Sequence, residues 1–593
     1  MIPFELVVKF PSGTVLVGGY SAVPKWLDAV HASDKEGKPV VPATALRGAL
    51  RESLEALLRG VELPACQGGT GLSPGDASDA PRRCALDEGR PCKACRLFGQ
   101  QRDRLDPGER SFSGLILGQA SLTPGPRVEW QDVHSVAITR SHRSAEDGLL
   151  FNRRVPALAG RELVARGWLL DDELRPFLVA AVMATTHVGS GRSRGLARID
   201  LELRVREETS TPRAAPITNG GETWVRLELL APAAIGGPAV GENLRDARGE
   251  IPGSTLRGAI GFALARSLPE PDSHASFQAL VGEDGAAFGF LYPSDHASAS
   301  RGELAAPWPV TAKACKVDPN HPVVDTLFDR IGAALVTTPA QALKLQGLER
   351  SQCQRCKEPL RGASGTRGAA KRPVTRLVTR VALDRRSGSA SDGKLFSHVL
   401  LEAGATFEGP VRRVPAGGAE LLAKAASQAV FVGRGTSAGL GEARLTLLDP
   451  PTLYPLKQRG ERFQKALRKE LGEMELPADR SDRLVPITLL SPMLTAEGDD
   501  GTKALADALG LDLTWLVTAR RFTREGGWDQ RAEGLRTEQA VAAGAVFVAE
   551  LAHPWMDSLA ALDRLERTGA GRRLHQGFGH LICFDPFIVK EGK

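Results

Sequence analysis

Residues 41–55 read VPATALRGALRESLE, and residues 251–266 read IPGSTLRGAIGFALAR. Both stretches begin with an apolar residue and a proline, and both continue with Leu-Arg-Gly-Ala and apolar residues at helical spacing. This pattern predicts an amphipathic helix in each copy, with Thr44 or Ser254 at the N-cap position. A folded unit therefore occurs at least twice in the chain.

The start of each predicted helix is a candidate anion site, because free N–H groups and the positive end of the helix dipole meet there. Arg47 and Arg257 follow within the first turns, and Arg51 lies one turn after Arg47. The alternative is an ordinary capped helix packed on a sheet. The repeat favours the anion site, since each copy is followed by a hairpin and a loop rich in glycine, arginine and serine.

The composition is that of a globular protein. The chain has 593 residues, of which 42% are hydrophobic and 25% charged, which suits two to four domains. No apolar run approaches the roughly 18 residues of a membrane helix, and the first residues lack the pattern of a signal peptide. We therefore expect a soluble, cytoplasmic protein.

Arginine is clustered although the net charge is only +6. Such basic patches suit a polyanion. Aromatic residues make up 5% of the chain, which is few for reading bases by stacking, so we expect a nucleic acid to be held through its backbone. The arginine clusters lie at 140–143, 151–156, 191–195, 385–388 and 571–573.

A polar hairpin precedes a Gly-rich loop and a strand three times along the chain. Short strands alternate with helices, which predicts α+β domains, each with a small antiparallel sheet. Residues 207–221 have the composition of a linker. The predicted hairpins span 135–156, 380–401 and 515–536, and the loops lie near 189–195, 433–439 and 572–587.

The cysteines form two groups, which in a cytosolic protein favours metal over disulfides. Cys66, Cys84, Cys92 and Cys95 could close a tetrahedral zinc site. Cys315, Cys353 and Cys356 need a fourth ligand, and His321 is near in sequence. The alternatives are unliganded thiols and a solvated histidine. Cys583, in an apolar strand, is predicted to be a core residue.

The motifs and their order resemble the RAMP proteins, the ferredoxin-like RNA-binding subunits of CRISPR effector complexes. VLVGGYS, LDAVHASD, VPATALRG, CRLFG and VGSGRSRGLARI follow the order of the backbone (Cas seven-type) subunit of type III complexes. IPGSTLRG, HPVVD, CQRC and VGRGTSAGLG look like the cap-forming (Cas five-type, Csx-ten-like) subunit of the III-D branch.

The resemblance implies tandem ferredoxin-like α+β domains with thumb hairpins and two structural zinc sites, and it supports His321 as the fourth ligand of the second site. It implies guide RNA (crRNA), target RNA and other type III subunits as partners: a large polymerase-like subunit, further backbone RAMPs and a small subunit. The implied domains are 1–206 with a zinc-binding insertion at 62–96, a linker at 207–221, 222–450 with an insertion at 310–360, and 451–593 as the C-terminal half of the cap unit.

The basic clusters, the helix starts and the Gly-rich loops together predict an RNA-binding surface. The alternative for each loop is a flexible solvated turn. The predicted RNA-binding residues are Thr44, Arg47, Arg51, Arg140, His142, Arg143, Gly189, Gly191, Arg192, Ser193, Arg194, Ser254, Arg257, Arg385, Arg386, Gly433, Arg434, Gly435, Arg572 and Arg573.

The helix with the Leu-Arg-Gly-Ala motif, at 41–55 and again at 251–266, is called the signature helix below. In backbone-type subunits, a loop before this helix carries an aspartate that cleaves target RNA. Asp28 lies at that position, and Asp34 follows at the family's spacing, with His31 where an aliphatic residue is commoner. The resemblance therefore implies that Asp28 is catalytic, with His31 and Asp34 as possible accessory groups. The chemistry is attack by a ribose 2′-OH, with Mg²⁺ or Mn²⁺ neutralising the developing charge.

Two alternatives remain at this point. The chain could be a catalytically inert structural crRNA-binding subunit, with Asp28 as a surface carboxylate. It could also be a metal-independent guide-processing endoribonuclease that uses His134, His142 or His575 as general acid or base. In the second copy Asp246 lies near the helix without a paired acid, so we expect that copy to bind RNA without cutting it.

Overall fold

The computed structural model describes residues 1–593 with several gaps. The gaps are 19–25, 67–83, 85, 88–89, 101–112, 193–194, 207–220, 240–242, 295–303, 337, 339–350, 368–371, 384–389, 529–534 and 590–593.

The first unit (residues 1–206) has an antiparallel sheet and a separate long hairpin. Its elements are β1 (Ile2–Lys9), β2 (Ala29–Val30), β3 (Val40–Val41), α1 (Ala43–Gly60), β4 (Leu86–Asp87), β5 (Arg90–Pro91), α2 (Lys93–Phe98), β6 (Leu115–Leu122), β7 (Trp130–Ile138), β8 (Ala145–Pro156), β9 (Glu162–Leu169), α3 (Arg175–Ala184) and β10 (Asp200–Val205). The strand order of the sheet is β10-β1-β9-β6-β3. Leu46, Leu50, Leu54 and Leu58, spaced by four, place one face of α1 in the core of this unit.

The second unit (residues 222–450) repeats this plan with longer insertions. Its elements are β11 (Thr223–Leu229), β12 (Gly236–Ala239), β13 (Leu244–Ala247), α4 (Gly253–Ala265), α5 (Ala275–Val281), β14 (Ala287–Phe288), β15 (Tyr292–Pro293), β16 (Ala306–Pro307), β17 (Ala312–Cys315), β18 (Val324–Asp325), α6 (Leu327–Leu335), β19 (Leu360–Gly362), β20 (Thr366–Arg367), β21 (Thr375–Leu383), β22 (Ala390–Leu401), β23 (Thr406–Arg412), α7 (Gly418–Ala426), β24 (Val430–Phe431) and β25 (Glu442–Leu448). The main path of its sheet is β14-β23-β11-β25-β24.

The third unit (residues 451–593) also has a sheet flanked by helices. Its elements are α8 (Leu456–Glu473), β26 (Leu484–Leu489), β27 (Met493–Leu494), α9 (Thr502–Leu509), β28 (Leu513–Ala519), β29 (Phe522–Trp528), β30 (Leu535–Val541), β31 (Val546–Leu551), α10 (Leu559–Thr568) and β32 (Leu581–Cys583). The four-stranded sheet has the order β28-β31-β26-β32.

The three sheets share one arrangement of four core strands. The orders β6-β9-β1-β10, β14-β23-β11-β25 and β28-β31-β26-β32 correspond strand for strand. In each unit a helix joins the first and second of these strands in chain order, and another joins the third and fourth. All the pairings within these sheets are antiparallel, which confirms the prediction of mixed helices and antiparallel sheets.

A long hairpin stands beside each sheet: β7–β8, β21–β22 and β29–β30. In the first two units, a short strand before the signature helix (β2 or β13) pairs in parallel with the second strand of the hairpin (β8 or β22). This pairing ties the segment in front of α1 or α4 to the base of its hairpin.

The units also contact one another. Trp168 packs edge-on against Phe431, with ring centroids 5.0 Å apart, between the first and second units. Helix α6, which the sequence assigned to the second unit's insertion, packs into the core of the third. None of the helices in the described residues has the length and apolar character needed to span a membrane.

Candidate functional site: a nucleic-acid interface and two metal centres

Each unit carries a nine-residue Gly-rich loop before the last strand of its core sheet: loop 1 (189–197), loop 2 (433–441) and loop 3 (571–579). The first, third, seventh and ninth residues of every loop have positive φ, between +55° and +94°. Glycine occupies all of these positions except Ala197 and Arg573. Positive φ is strained for most residues that have a Cβ, so the repeat of glycines in the sequence reflects a repeat of backbone conformation.

The first glycine of each loop lies against a main-chain carbonyl of its own unit, where a Cβ would overlap the oxygen. The next residue donates its N–H to the same oxygen at 2.9, 3.0 and 2.9 Å. The pairs are Gly189 with Leu16, Gly433 with Ala234, and Gly571 with Leu494. In the described residues, the start of each loop is therefore held by the same main-chain contact.

The seventh residue of the loops makes the contact between units. A Cβ on Gly439 of loop 2 would overlap the carbonyl oxygen of Leu117 in β6 of the first unit. A Cβ on Gly577 of loop 3 would overlap the carbonyl oxygen of Phe288 in β14 of the second unit. The corresponding Gly195 of loop 1 has no atom of the described residues within 4 Å of its Cβ position. The units are thus joined head to tail, and loop 1 is the open end.

A narrow cleft runs between the first two units. The start of α1 and Gln119 line one side, and loop 2 lines the other together with Arg376 and Arg380. Burial first, then the positive charges of Arg380, Arg245 and Arg434, lower the pKa of His398 nearby. The second unit therefore presents concentrated positive charge beside its loop.

The prediction that Thr44 and Ser254 cap their helices is wrong. Pro42 and Pro252 occupy the N-cap positions of α1 and α4, and neither helix has a side-chain cap bond. Thr44 and Ser254 are the second residues of their helices. The prolines lack the N–H that this position would otherwise leave unpaired, which favours them there.

The arginines of the signature helices are tied to protein groups, which corrects their assignment to RNA. Arg47 donates to the carbonyl oxygens of Leu115 (2.7 Å) and Phe98 (2.9 Å), and burial lowers its pKa to about 10. Arg257 donates through Nε to the carbonyl oxygen of Val281 at 2.7 Å. Both guanidinium groups anchor a helix to its own unit.

Arg51 is likewise buried within the protein. Its guanidinium pairs with Glu55 at 2.7 Å and donates to the carbonyl oxygen of Gly99 at 2.6 Å. It also donates to Cys95 Sγ at 3.3 Å. Arg51 therefore supports the first cysteine cluster and is not available to RNA.

The first hairpin exposes both charge and apolar surface. Arg140, His142 and Arg143 lie in the exposed turn between β7 and β8. Apolar side chains of the same hairpin are open to solvent: Val133, Val136, Ile138, Leu149 and Leu150. Such a surface on a projecting hairpin is typical of a contact site.

The remaining loop residues differ in their availability. Arg192 is exposed and pairs with Glu52 at 3.2 Å. Arg572 and Arg573 both pair with Glu538. Gly191 and Gly435 are the third residues of loops 1 and 2. Ser193, Arg194, Arg385 and Arg386 lie outside the described residues.

Asp28 lies at the base of the first hairpin, exposed to solvent. The N–H of Asn152 donates to Asp28 Oδ2 at 2.6 Å, and the N–H of Asp28 donates to the carbonyl oxygen of Asn152 at 2.8 Å. Oδ1 of Asp28 accepts no hydrogen bond from the described residues. The carboxylate is therefore held by one oxygen and presents the other.

Asn152 also connects Asp28 to His134. The two residues face each other across the hairpin, and His134 Nδ1 lies 2.7 Å from Asn152 Oδ1. Asn152 Nδ2 donates to the carbonyl oxygen of Trp26 at 3.1 Å. Sequence reasoning missed Asn152 and Trp26, because only the strand register brings them to Asp28.

Next to them, Arg154 forms a two-point ion pair with Asp132, at 2.7 and 2.9 Å. The Arg154 guanidinium also stacks over the Trp26 ring, 4.9 Å from its centroid. Asp132 is thereby committed to a cation, which leaves Asp28 as the carboxylate with an open oxygen in this group.

The structure does not support His31 and Asp34 as accessory catalytic groups. His31 is 1% exposed, its Nδ1 accepts the Val17 N–H at 3.1 Å, and burial lowers its pKa to about 4. Asp34 Oδ1 accepts the N–H groups of Glu36 and Lys38 at 2.8 and 2.9 Å, which closes a tight turn. Both residues shape the loop.

The second unit has different residues at the equivalent place. By strand pairing, Asn243 stands where Asp28 does, just before the short strand that pairs with the hairpin. Phe396 stands where Asn152 does, and Arg380 faces it where His134 faces Asn152. Asp246 accepts the N–H of Ala247 at 2.8 Å. As far as the described residues show, this place in the second unit is cationic and apolar.

Four buried sulfurs meet in the first cluster. Cys66 Sγ lies 3.4, 3.8 and 3.3 Å from the sulfurs of Cys84, Cys92 and Cys95. A tetrahedral zinc with Zn–S bonds of about 2.3 Å separates its sulfurs by about 3.8 Å. All eight cysteines are described, and none is in a disulfide. The donor set and spacing therefore fit a structural zinc ion.

The second cluster combines three sulfurs with an imidazole. Cys315 Sγ lies 3.5 Å from Cys356 Sγ, and Cys353 Sγ lies 3.4 Å from His321 Nδ1. The N–H of Asp318 donates to Cys315 Sγ at 3.4 Å and lowers the pKa of that thiol to about 6. The ligand atoms of the four residues lie within 4.8 Å of one another, which fits zinc.

Asp318 also supports this cluster through its carboxylate. Asp318 Oδ2 lies 3.4 Å from His321 Nε2, the ring nitrogen that faces away from the sulfurs. A carboxylate in this place orients a metal-binding imidazole and raises its basicity. His321 is thus placed to serve as the fourth ligand, and Asp318 is placed to orient it.

A segment of the chain matches a known protein family. Residues 15–199 match the sequence model of the RAMP superfamily. Two of the most similar solved chains come from cryo-EM structures of the type III-B Cmr-beta bound to cognate target RNA, one of them also with AMPPnP. They are 12% and 13% identical to this chain, with TM-scores of 0.30 and 0.29, and each match covers 55% of this chain and 86% of that chain. No curated protein matches the sequence.

The RAMP match covers the signature helix, the hairpin, loop 1 and strands β3, β6 and β9 of the first unit, whereas β1 and β10 of the same sheet lie outside it. Its bounds include Asp28, Asn152 and His134, and the first cysteine cluster. The match ends before the second unit. The relation of that unit to the first is inferred from its similar loop and its similar strand order.

Proposed function

We propose that this chain is a subunit of a type III CRISPR RNA-guided effector complex that binds crRNA and cleaves complementary target RNA in its first unit. The RAMP match over residues 15–199 supports the class. The observation that carries the cleavage is the exposed Asp28 carboxylate, held at the hairpin base with one oxygen open. The chain would be III-D-like, with the second and third units forming the cap on the 5′ handle of the guide.

The set of residues that would hold RNA is smaller than the set that the sequence indicated. It consists of the Gly-rich loops, the hairpin turn with Arg140, His142 and Arg143, and the cationic side of the second unit. The signature-helix arginines do not. Recognition would therefore rely on main-chain groups and on hairpins that insert between bases.

A divalent cation fits beside Asp28. Mg²⁺ and Mn²⁺ take oxygen ligands, and Mg²⁺ commonly keeps several waters and binds through one or two carboxylates and a substrate phosphate. Asp28 Oδ1 could supply that carboxylate oxygen. The ion would neutralise charge that develops on the phosphate during 2′-OH attack. The second unit, with Asn243 at this place, would bind RNA without cutting.

The second unit also helps to position the cleavage loop. Lys35 Nζ donates to the carbonyl oxygen of Ala403 at 2.9 Å, and Arg376 donates to the carbonyl oxygen of Ser33 at 3.2 Å. The loop that follows Asp28 is thus fixed on one side by its own hairpin and on the other by the cap-type unit.

The assembly would extend from loop 1. Loops 2 and 3 each contact a strand of the preceding unit, β6 or β14, whereas Gly195 of loop 1 has no such neighbour in the described residues. A further backbone-type RAMP subunit would dock there. The large polymerase-like subunit and the small subunit complete the proposed partners.

The test is the cleavage of a complementary target RNA by the guide-bound complex, with the Asp28→Ala variant beside the wild type. The variant should bind guide and target RNA normally and lose one cut at a fixed position. Asp246→Ala is the matched control in the second unit and should cut normally. Unchanged cleavage by Asp28→Ala would leave a purely structural crRNA-binding role, and metal-independent cleavage of guide repeats would favour a processing nuclease.

A further inference from the structure

Beside Asp28, the orientation of the Asn152 amide is determined by its neighbours. A main-chain carbonyl oxygen can only accept, so the atom of Asn152 that faces the Trp26 oxygen at 3.1 Å must be the NH₂ group. The other amide atom, which faces His134 at 2.7 Å, is therefore the carbonyl oxygen.

This orientation determines the tautomer of His134. An amide oxygen only accepts, so His134 Nδ1 must carry the hydrogen and donate it to Asn152. In the neutral imidazole, Nε2 then carries a lone pair. His134 is exposed, so that lone pair is open to a substrate.

His134 and Asp28 are attached to one residue. The Asn152 side chain holds His134, and its main-chain N–H holds the Asp28 carboxylate. Among the described residues of β7 and β8, Asp132 and Arg154 also carry charge on this face, and they pair with each other. An oriented base thus stands beside an oriented carboxylate, an arrangement typical of acid–base catalysis.

We propose that His134 is the general base of the cleavage reaction and that Asn152 is its positioning residue; this rests on the proposed function of Asp28. The ribose 2′-oxygen attacks the adjacent phosphorus while its proton passes to His134 Nε2. The bond from phosphorus to the 5′-oxygen breaks, and the leaving oxygen takes a proton from water. The products are a 2′,3′-cyclic phosphate and a 5′-hydroxyl.

At the equivalent positions, the second unit has other residues. Asn243, Phe396 and Arg380 stand in the places of Asp28, Asn152 and His134. Phe396 offers no amide, and Arg380 cannot act as a base near neutral pH. The base, the positioning amide and the carboxylate are therefore present together in the first unit, and all three are replaced at the equivalent described positions of the second.

The experiment is single-turnover cleavage of target RNA by the guide-bound complex across pH, with saturating Mg²⁺. His134→Ala should cleave at least about 100-fold more slowly, as expected for loss of a general base. The wild-type rate should depend on pH through its general base, and His134→Ala should lose that part of the dependence. Gln131→Ala, on the opposite face of β7, is the control and should behave as wild type.

Asn152 variants separate positioning from support of Asp28. Asn152→Ala keeps the main-chain bond to Asp28 and should slow cleavage about tenfold, with no further loss in the His134→Ala background. Asn152→Asp keeps an acceptor for Nδ1–H and should retain more activity than Asn152→Ala.

The outcomes distinguish the two proposals. If Asp28→Ala cleaves normally, the proposed function itself fails. If Asp28→Ala is inactive but His134→Ala cleaves at the wild-type rate with the same pH profile, only the role of His134 is overturned. Loss of guide or target binding by His134→Ala would also overturn it, since His134 would then be an RNA-binding residue.

Discussion

His31 shows how burial decides the role of a residue. The sequence placed it among three polar groups of a candidate catalytic loop, yet its ring is enclosed and accepts a main-chain N–H from Val17. The pKa of His31 falls from 6.5 to about 4 because the charged form is desolvated. Its neutral form is part of the fold.

This shift predicts a pH-dependent stability. Between pH 6.5 and about 4 the unfolded chain takes up a proton that folded His31 does not, so stability falls as pH is lowered through this window, by on the order of 3 kcal/mol in all. His31→Asn keeps an acceptor for the Val17 N–H and should lack this part of the pH dependence in urea unfolding. His142→Asn, exposed in the hairpin turn, is the control. Equal pH dependence in His31→Asn and wild type would contradict the prediction.

Positive φ and steric overlap can be separated in loop 1. Alanine at Gly189 or Gly195 incurs the strain of positive φ, about 1–2 kcal/mol. Only at Gly189 does the new Cβ also overlap a carbonyl oxygen. Gly189→Ala should therefore lower the urea midpoint of the first unit more than Gly195→Ala; equal losses would show that the overlap is relieved without cost.

At the scale of elements, the second metal centre can be tested by a substitution that keeps all four of its proposed ligands. Asp318→Asn removes the carboxylate that orients His321 and should weaken zinc binding there by about 10–100-fold. Purified wild type should contain close to two zinc ions per chain, and chelator competition should show one class of ion released earlier in the variant. Ions released equally from both chains would contradict a role for Asp318.

How much of each element the sequence predicts depends on the range of the interactions that form it. Local patterns predicted the first two hairpins, the Gly-rich loops and the cysteine clusters, since turn residues and spacings act over a few positions. The third hairpin, predicted at 515–536, lies at 522–541, because residues 513–519 form strand β28 of the core sheet. The same patterns misplaced Thr44 at the N-cap and assigned Arg47 to RNA. The carbonyls that hold Arg47 come from Phe98 and Leu115, more than fifty residues away, and no local signal reveals them.

Cross-strand register explains what was missed at the candidate active site. Asn152 is separated from Asp28 by more than a hundred residues, and a shift of one residue between β2 and β8 would turn it to the other face. The sequence could indicate Asp28 by resemblance. It could not show which hairpin residues stand beside it.

At the scale of the whole molecule, the open end of the stack predicts a variant that folds but does not extend. Gly195→Asn tolerates positive φ, because asparagine enters the left-handed region more readily than most residues. Its side chain would occupy the space that Leu117 and Phe288 fill at the two internal junctions. With guide RNA and a separate backbone-type subunit, the variant should form a smaller complex in analytical ultracentrifugation.

The control for this experiment is Gly498→Asn, which also lies at positive φ in open space but away from any loop junction. It should assemble as wild type does. A full-sized complex with Gly195→Asn would mean that further subunits dock elsewhere.

The junctions between units depend on main-chain atoms and on the lack of a side chain. At both internal junctions a glycine lies against a strand carbonyl of the preceding unit, and loops 2 and 3 otherwise have few residues in common. Substitutions elsewhere on these surfaces therefore leave the docking geometry unchanged. Descendants of one ancestral unit could in this way diverge until their sequences no longer resemble each other, while each still fits onto its neighbour.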